Sequence, residues 1–270
     1  MYKQLTFRLN DSNEYEFYWE GYGGAKGEKR QEKRKATPEQ IERQNRFNKA
    51  KECRRTIKLN FAPGDLFVTL TYKAGEKKSI DEVMKDITQF DRKMRYRHKK
   101  AGTEYKWMRV IEIGERGGIH IHLITTKESF DYINEAWTHG HPNYKRLYAD
   151  GGYAQLADYM SKNQKNKQGE LVKKGDYHYS TSRNLKRPIP EVKRYSHWTM
   201  RRIIERGIKA SPGYYIDKDS IRMGINPVTG KSYLYYTEVK NGGQSVHSPG
   251  EAWTIKEKWR DIYTPRGADE

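Results

Sequence analysis

Arg116-Gly-Gly-Ile-His-Ile-His-Leu-Ile-Thr125 is the stretch that decides the fold. In a strand, successive side chains point to opposite faces, so His120 and His122 share one face while Ile119, Ile121 and Leu123 share the other. Two imidazoles side by side are half of a metal site. With 8 histidines in 270 residues, chance supplies roughly 0.24 His-x-His pairs. A second pair, His139-Gly-His141-Pro142, lies among turn residues and reads as a loop.

Working outward, Trp107-Met-Arg-Val-Ile-Glu-Ile113 reads as the preceding strand and Gly114-Glu-Arg-Gly-Gly118 as the turn between them. If Ile113 pairs with Ile119, Glu112 falls opposite His120 and Val110 opposite His122, and directly opposed residues share a face. A carboxylate and two imidazoles then converge with coordination positions left for water and a substrate oxygen. Glu115, in the turn, is a weaker substitute ligand. The competing reading pairs Glu112 with Arg109 or Lys106 on a solvated face.

Leu66-Phe-Val-Thr-Leu-Thr-Tyr72 alternates as a strand does. Ser79-Ile-Asp-Glu82 is a capping box, and it opens a helix whose apolar stripe is Ile80, Val83, Met84, Ile87, Phe90 and Met94. Tyr153 to Lys162 reads as a further helix with Tyr153, Leu156, Ala157 and Met160 toward the core. Tyr159 and Lys162, three apart, are neighbours on its surface.

Phe67-Val-Thr-Leu-Thr-Tyr72, His120-Ile-His122 and Tyr159-Met-Ser-Lys162, in that order, resemble the motifs of the HUH endonucleases that initiate rolling-circle replication. The resemblance covers roughly Leu66 to Lys162, and its flavour is that of replication proteins from bacterial plasmids, phages and integrated elements. It implies an α+β palm, a central antiparallel sheet in RRM- or ferredoxin-like βαββαβ order backed by helices, with N- and C-terminal extensions. It also implies Tyr159 as nucleophile with Lys162 assisting, a divalent Mg²⁺ or Mn²⁺ on Glu112, His120 and His122, and a 5′-phosphotyrosine product with a free 3′-hydroxyl. A phenol, with its pKa near 10, is a weak nucleophile at neutral pH, so such a reaction needs charge stabilisation at the phosphate. Tyr153 is the alternative nucleophile. Six residues at about 100° each set it on nearly the opposite helix face from Tyr159, so a two-tyrosine mechanism is not expected.

The 53 Lys and Arg against 35 Asp and Glu give a formal net charge of +18, which attracts polyphosphates. Interleaved among them are 21 Tyr, 7 Phe and 6 Trp, rings on which unpaired bases stack. Single-stranded or hairpin origin DNA is the expected partner, with Arg116, Lys165, Arg183, Lys186 and Arg187 as its contacts. Three segments are expected: a basic, helical extension over 1–60, a nicking domain over 61–185, and a DNA-contacting extension over 186–270. In the first, Thr37, Pro38 and Gln40 open a helix. In the last, a proline-containing linker to Arg194 precedes a helix over Ser196–Gly207, a hairpin of Ser220–Ile225 with Ser232–Val239, and a loose tail from Gly242. Another strand of the palm is placed near Tyr144–Tyr148.

Gly230-Lys231-Ser232 ends like a phosphate-binding loop, but Gly224 lies one residue too far upstream and a strand follows. No ATPase is expected, which leaves unwinding to a host helicase and the replication machinery. Cys53 is the single cysteine, so no intramolecular disulfide forms. Without a signal peptide or a membrane-spanning apolar run, the bacterial cytoplasm is the expected location. Two other readings compete: an HUH transposase or mobilisation relaxase, and a non-enzymatic RRM-like binder of single strands.

Overall fold

The computed structural model describes residues 1–21, 35–114, 118–148, 153–162, 179–196, 200–226 and 229–241. Strands β1 (Tyr2–Arg8) and β2 (Ser12–Trp19) lead into helix α1 (Pro38–Asn60). Then come β3 (Leu66–Thr71), α2 (Ile80–Lys100), β4 (Trp107–Ile113), β5 (Ile119–Thr125), α3 (Phe130–Ala136), β6 (Pro142–Arg146) and α4 (Ala154–Ser161). The chain continues through β7 (Ser180–Thr181), β8 (Glu191–Tyr195), α5 (Met200–Arg206), β9 (Tyr214–Asn226) and β10 (Lys231–Lys240). No helix among the described residues is long and apolar enough to cross a membrane.

Two compact units divide the chain, Met1–Ile41 with Pro188–Glu270, and Glu42–Arg187. This differs from the expected segments 1–60, 61–185 and 186–270: the two ends are not separate extensions. In the first unit they make one antiparallel sheet, ordered β8-β1-β2-β10-β9. Tyr2, Phe17, Ile221 and Leu234 pack there against Met200 and Ile203 of α5. The expected hairpin is present as β9 and β10, and the expected linker contains β8, whose Tyr195 pairs with Tyr2. The predicted helix over 196–207 is the shorter α5, closed by Gly207 at φ 72°, the left-handed conformation that glycine adopts without strain.

The second unit is the palm, and it has the expected α+β class and order. Its antiparallel sheet runs β6-β3-β5-β4-β7, and β3-α2-β4-β5-α3-β6 is the βαββαβ sequence. The pleat sorts side chains onto two faces. On one, Val68, Leu70, Ile121 and Leu123 pack with Val83, Ile87, Phe90 and Met94 of α2 and Ile133 of α3. On the other, Met108, Val110 and Ile124 pack with Cys53 and Ile57 of α1 and with Ala157 and Met160 of α4. α2 starts at the predicted capping box, where Glu82 N–H donates to Ser79 Oγ and Ser79 N–H to Glu82 Oε2; Thr37 and Gln40 make the same reciprocal pair at α1. Met84, assigned to the α2 stripe, is instead 46% exposed. β6 begins earlier than predicted, at Pro142, which an edge strand tolerates because one side of its backbone needs no ladder partner.

Arg109 removes the competing reading of Glu112. It points to the α2 face and clasps Asp91 with two 2.8 Å hydrogen bonds, and its guanidinium lies 3.6 Å from the centroid of the Trp107 ring. Lys106 pairs with Glu104 at 2.8 Å. Removing one partner of a buried pair strands the other charge, at a cost of about 3–5 kcal/mol. Arg109→Leu is therefore expected to lower the denaturant midpoint by that equivalent, and a urea titration of wild type and variant measures it.

Candidate functional site

Pairing of β4 with β5 has the predicted register: Ile113 opposite Ile119, Glu112 opposite His120, Val110 opposite His122. On the other side of β5, Thr69 lies opposite His122 and Thr71 opposite His120. Because opposed residues share a face, Glu112, His120, His122 and Thr69 all point to the face that α4 covers in part. One ligand atom from each of Glu112, His120 and His122 lies within 4.8 Å of the other two. A carboxylate and two imidazoles suit a divalent cation, so these residues are able to hold a metal ion.

His122 is the anchored member. It is 6% exposed, its Nε2 is 2.8 Å from Glu112 Oε2, and its Nδ1 is 3.1 Å from Thr69 Oγ1. Phe67 stacks parallel to its ring with centroids 5.7 Å apart. Ring plane and both nitrogens are thereby fixed, as an imidazole ligand requires. Burial pushes the His122 pKa down, with the Glu112 hydrogen bond opposing, and favours a neutral ring with a free lone pair.

Tyr159 completes the cluster. Ala157 and Met160 bury one side of α4 in the core, which turns Tyr159 toward the cluster at 38% exposure. Its hydroxyl donates to Glu112 Oε2 at 2.5 Å and lies 2.6 Å from His122 Nε2. Burial, then the Glu112 carboxylate, pushes the phenol's pKa up, so the hydroxyl holds its proton until an acceptor takes it. For Glu112, burial pulls the carboxyl upward, but hydrogen bonds from Tyr159 and His122 outweigh it and hold the group below the ordinary range.

The other predicted site residues are placed differently. Lys162 caps α4 instead of lying on its surface; its side chain is exposed and its backbone N–H bonds Tyr159 O at 3.4 Å. Tyr153 is 7% exposed among Leu147, Ala157 and Met160, too enclosed for a nucleophile, and it precedes the helix in a left-handed conformation, φ 62°. Arg183, Lys186 and Arg187 are exposed; Lys186 N–H bonds Asn60 Oδ1, and Arg187 reaches Thr181 Oγ1 at 3.5 Å. Glu115, Arg116 and Lys165 lie outside the described residues, as does the tail from Gly242. Sequence reasoning missed Thr69 and Phe67, although strand parity within Phe67–Tyr72 would have put both on the histidine face.

An antiparallel βαββαβ palm with a carboxylate, two imidazoles and a tyrosine on one face defines a class, the HUH-type palm. Residues 65–164 match the family model for the ORF2-type replication-associated protein, a span that runs from β3 through α4 and supports a Rep-type initiator. No curated protein and no solved structure matches the chain.

Proposed function

We propose that this protein nicks and rejoins single-stranded DNA at a replication origin through a 5′-phosphotyrosine on Tyr159, and so initiates rolling-circle replication. The single observation that carries the reading is the Tyr159 hydroxyl held 2.5 Å from Glu112 and 2.6 Å from His122. The phenolic oxygen attacks phosphorus as the bond to the 3′ oxygen breaks; the phenol proton passes to Glu112 Oε2, its present acceptor, and the departing 3′ oxygen takes up a proton. Joining is the reverse, because the phosphotyrosine conserves the energy of the broken ester. A divalent Mg²⁺ or Mn²⁺ held by Glu112, His120 and His122 would polarise the phosphate and neutralise charge developing in the transition state. Lys162, a turn away, supplies a cation for phosphate. Single-stranded or hairpin DNA is the substrate form because a stiff duplex restricts in-line approach, and strand separation falls to a host helicase. The test is an SDS-stable adduct: with 5′- and 3′-labelled origin strands, only the 3′ label is to be retained, and only with metal.

Thr69 has a role in this reading. With the Nε2 lone pair committed to a cation, Nδ1 carries the proton and donates it to Thr69 Oγ1, which orients the ring. Thr69→Val is expected to weaken Mn²⁺ binding by about 10–100-fold while Thr69→Ser retains it, measured by isothermal titration. Equal affinity in the Val variant would remove Thr69 from the site.

A further inference from the structure

The second His-x-His pair divides its labour. His139 is committed inward, with Nε2 3.6 Å from Asp86 Oδ1 and its ring against Tyr72 and Trp137. Gly140 lets the loop close on the end of β3: a Cβ there would lie 2.1 Å from Thr71 O, a collision with backbone. Thr71 Oγ1 then donates to His141 O at 2.8 Å and Lys73 N–H to His139 O at 3.0 Å. The loop thus delivers His141 into line with β6.

Register extends the catalytic face onto this edge strand. Asn143 lies opposite Thr69 and Lys145 opposite Phe67, so both side chains share the face of His122. Tyr144, between them, packs on the opposite core, which confirms the parity. Leu147, two residues beyond Lys145, is buried under α1 and α4; His141, Asn143 and Lys145 are exposed. Among the described residues no hydrogen bond or ion pair engages the side chains of these three. We propose that His141, Asn143 and Lys145 form a track for the single-stranded DNA that flanks the phosphate at Tyr159, an inference that rests on the nicking reading of the adjoining cluster. Residues at i, i+2 and i+4 repeat roughly every 6.4–6.8 Å along a strand, giving one cation and two hydrogen-bonding groups along an extended polyanion, and the track runs from the level of His120 past that of His122.

The test uses the full chain and a labelled oligothymidylate of about 20 nucleotides, with binding followed by anisotropy across a salt series. Combined His141→Ala, Asn143→Ala and Lys145→Ala changes are expected to weaken binding about tenfold near 0.15 M salt. Lys145→Ala alone is to lower the slope of log K against log salt by about 0.7, and Lys145→Arg is to preserve it. Lys127→Ala, an exposed cation outside the track, serves as the control. If the triple variant binds within twofold of wild type, or Lys127→Ala weakens binding as much as Lys145→Ala, the track is overturned. An adduct assay on the same proteins separates the two claims: adduct with no effect of the track changes sinks the track alone, whereas track-dependent binding without any adduct sinks the nicking reading alone.

Discussion

Tyr159→Phe is expected to leave the protein folded and bound to DNA while covalent adduct falls at least about 10³-fold. The change removes one oxygen and keeps the ring, so its edge-on contacts with His122, centroids 5.0 Å apart, and with Phe67, 6.3 Å apart, persist. What disappears is the nucleophile and the hydrogen bond to Glu112. That bond is among those that hold the Glu112 carboxyl down, so the variant's Glu112 pKa is expected to rise. Tyr153→Phe is the counterpart and is expected to form adduct normally, because that ring sits in the core between Leu147 and Met160. Gel analysis of the SDS-stable species in both variants checks the pair. An adduct surviving in Tyr159→Phe moves the nucleophile elsewhere.

The second large effect is loss of the metal centre. His120→Ala and His122→Ala each remove one of three donors, and Glu112→Gln keeps the shape but removes the charge that draws in a cation. Each is expected to weaken Mn²⁺ binding at least about 100-fold and to abolish adduct in step, as is excess chelator acting on wild type. His122 is buried and hydrogen-bonded on both nitrogens, so its loss also costs stability. Glu112→Gln and His120→Ala therefore carry the interpretation, with thermal unfolding run alongside. Undiminished Mn²⁺ affinity in both would place the metal elsewhere.

The palm was legible because its signals are local. Alternation over Leu66–Tyr72 and Ile119–Thr125, a glycine-bounded turn and a serine–glutamate box fix strands, register and helix start within a few residues, and the Glu112–His120 pairing follows. The first unit was not legible, because its sheet is assembled from ends far apart in the chain: Tyr2 pairs with Tyr195, and Phe17 with Leu234. Nothing in Tyr2–Arg8 alone names its partners, and strands take their meaning from neighbours. At the site, Glu112, His120, His122 and Tyr159 were readable from parity and helix spacing. Lys162 was misplaced because α4 ends at Ser161, and helix ends are set by tertiary context more than by side-chain pattern. Tyr153 looked helical because its spacing suits an apolar stripe; it is buried as that stripe requires, but its positive φ sets it outside the helix.

Mass spectrometry of the adduct is the most direct test of the central claim. After reaction of wild type with a single-stranded origin oligonucleotide and Mn²⁺, nuclease trimming and proteolysis, the peptide spanning Tyr159 is expected to carry a nucleotide joined through its 5′ phosphate to the phenolic oxygen. A nucleotide on another residue, or a protein that binds the strand and the metal yet yields no modified peptide, would contradict the account.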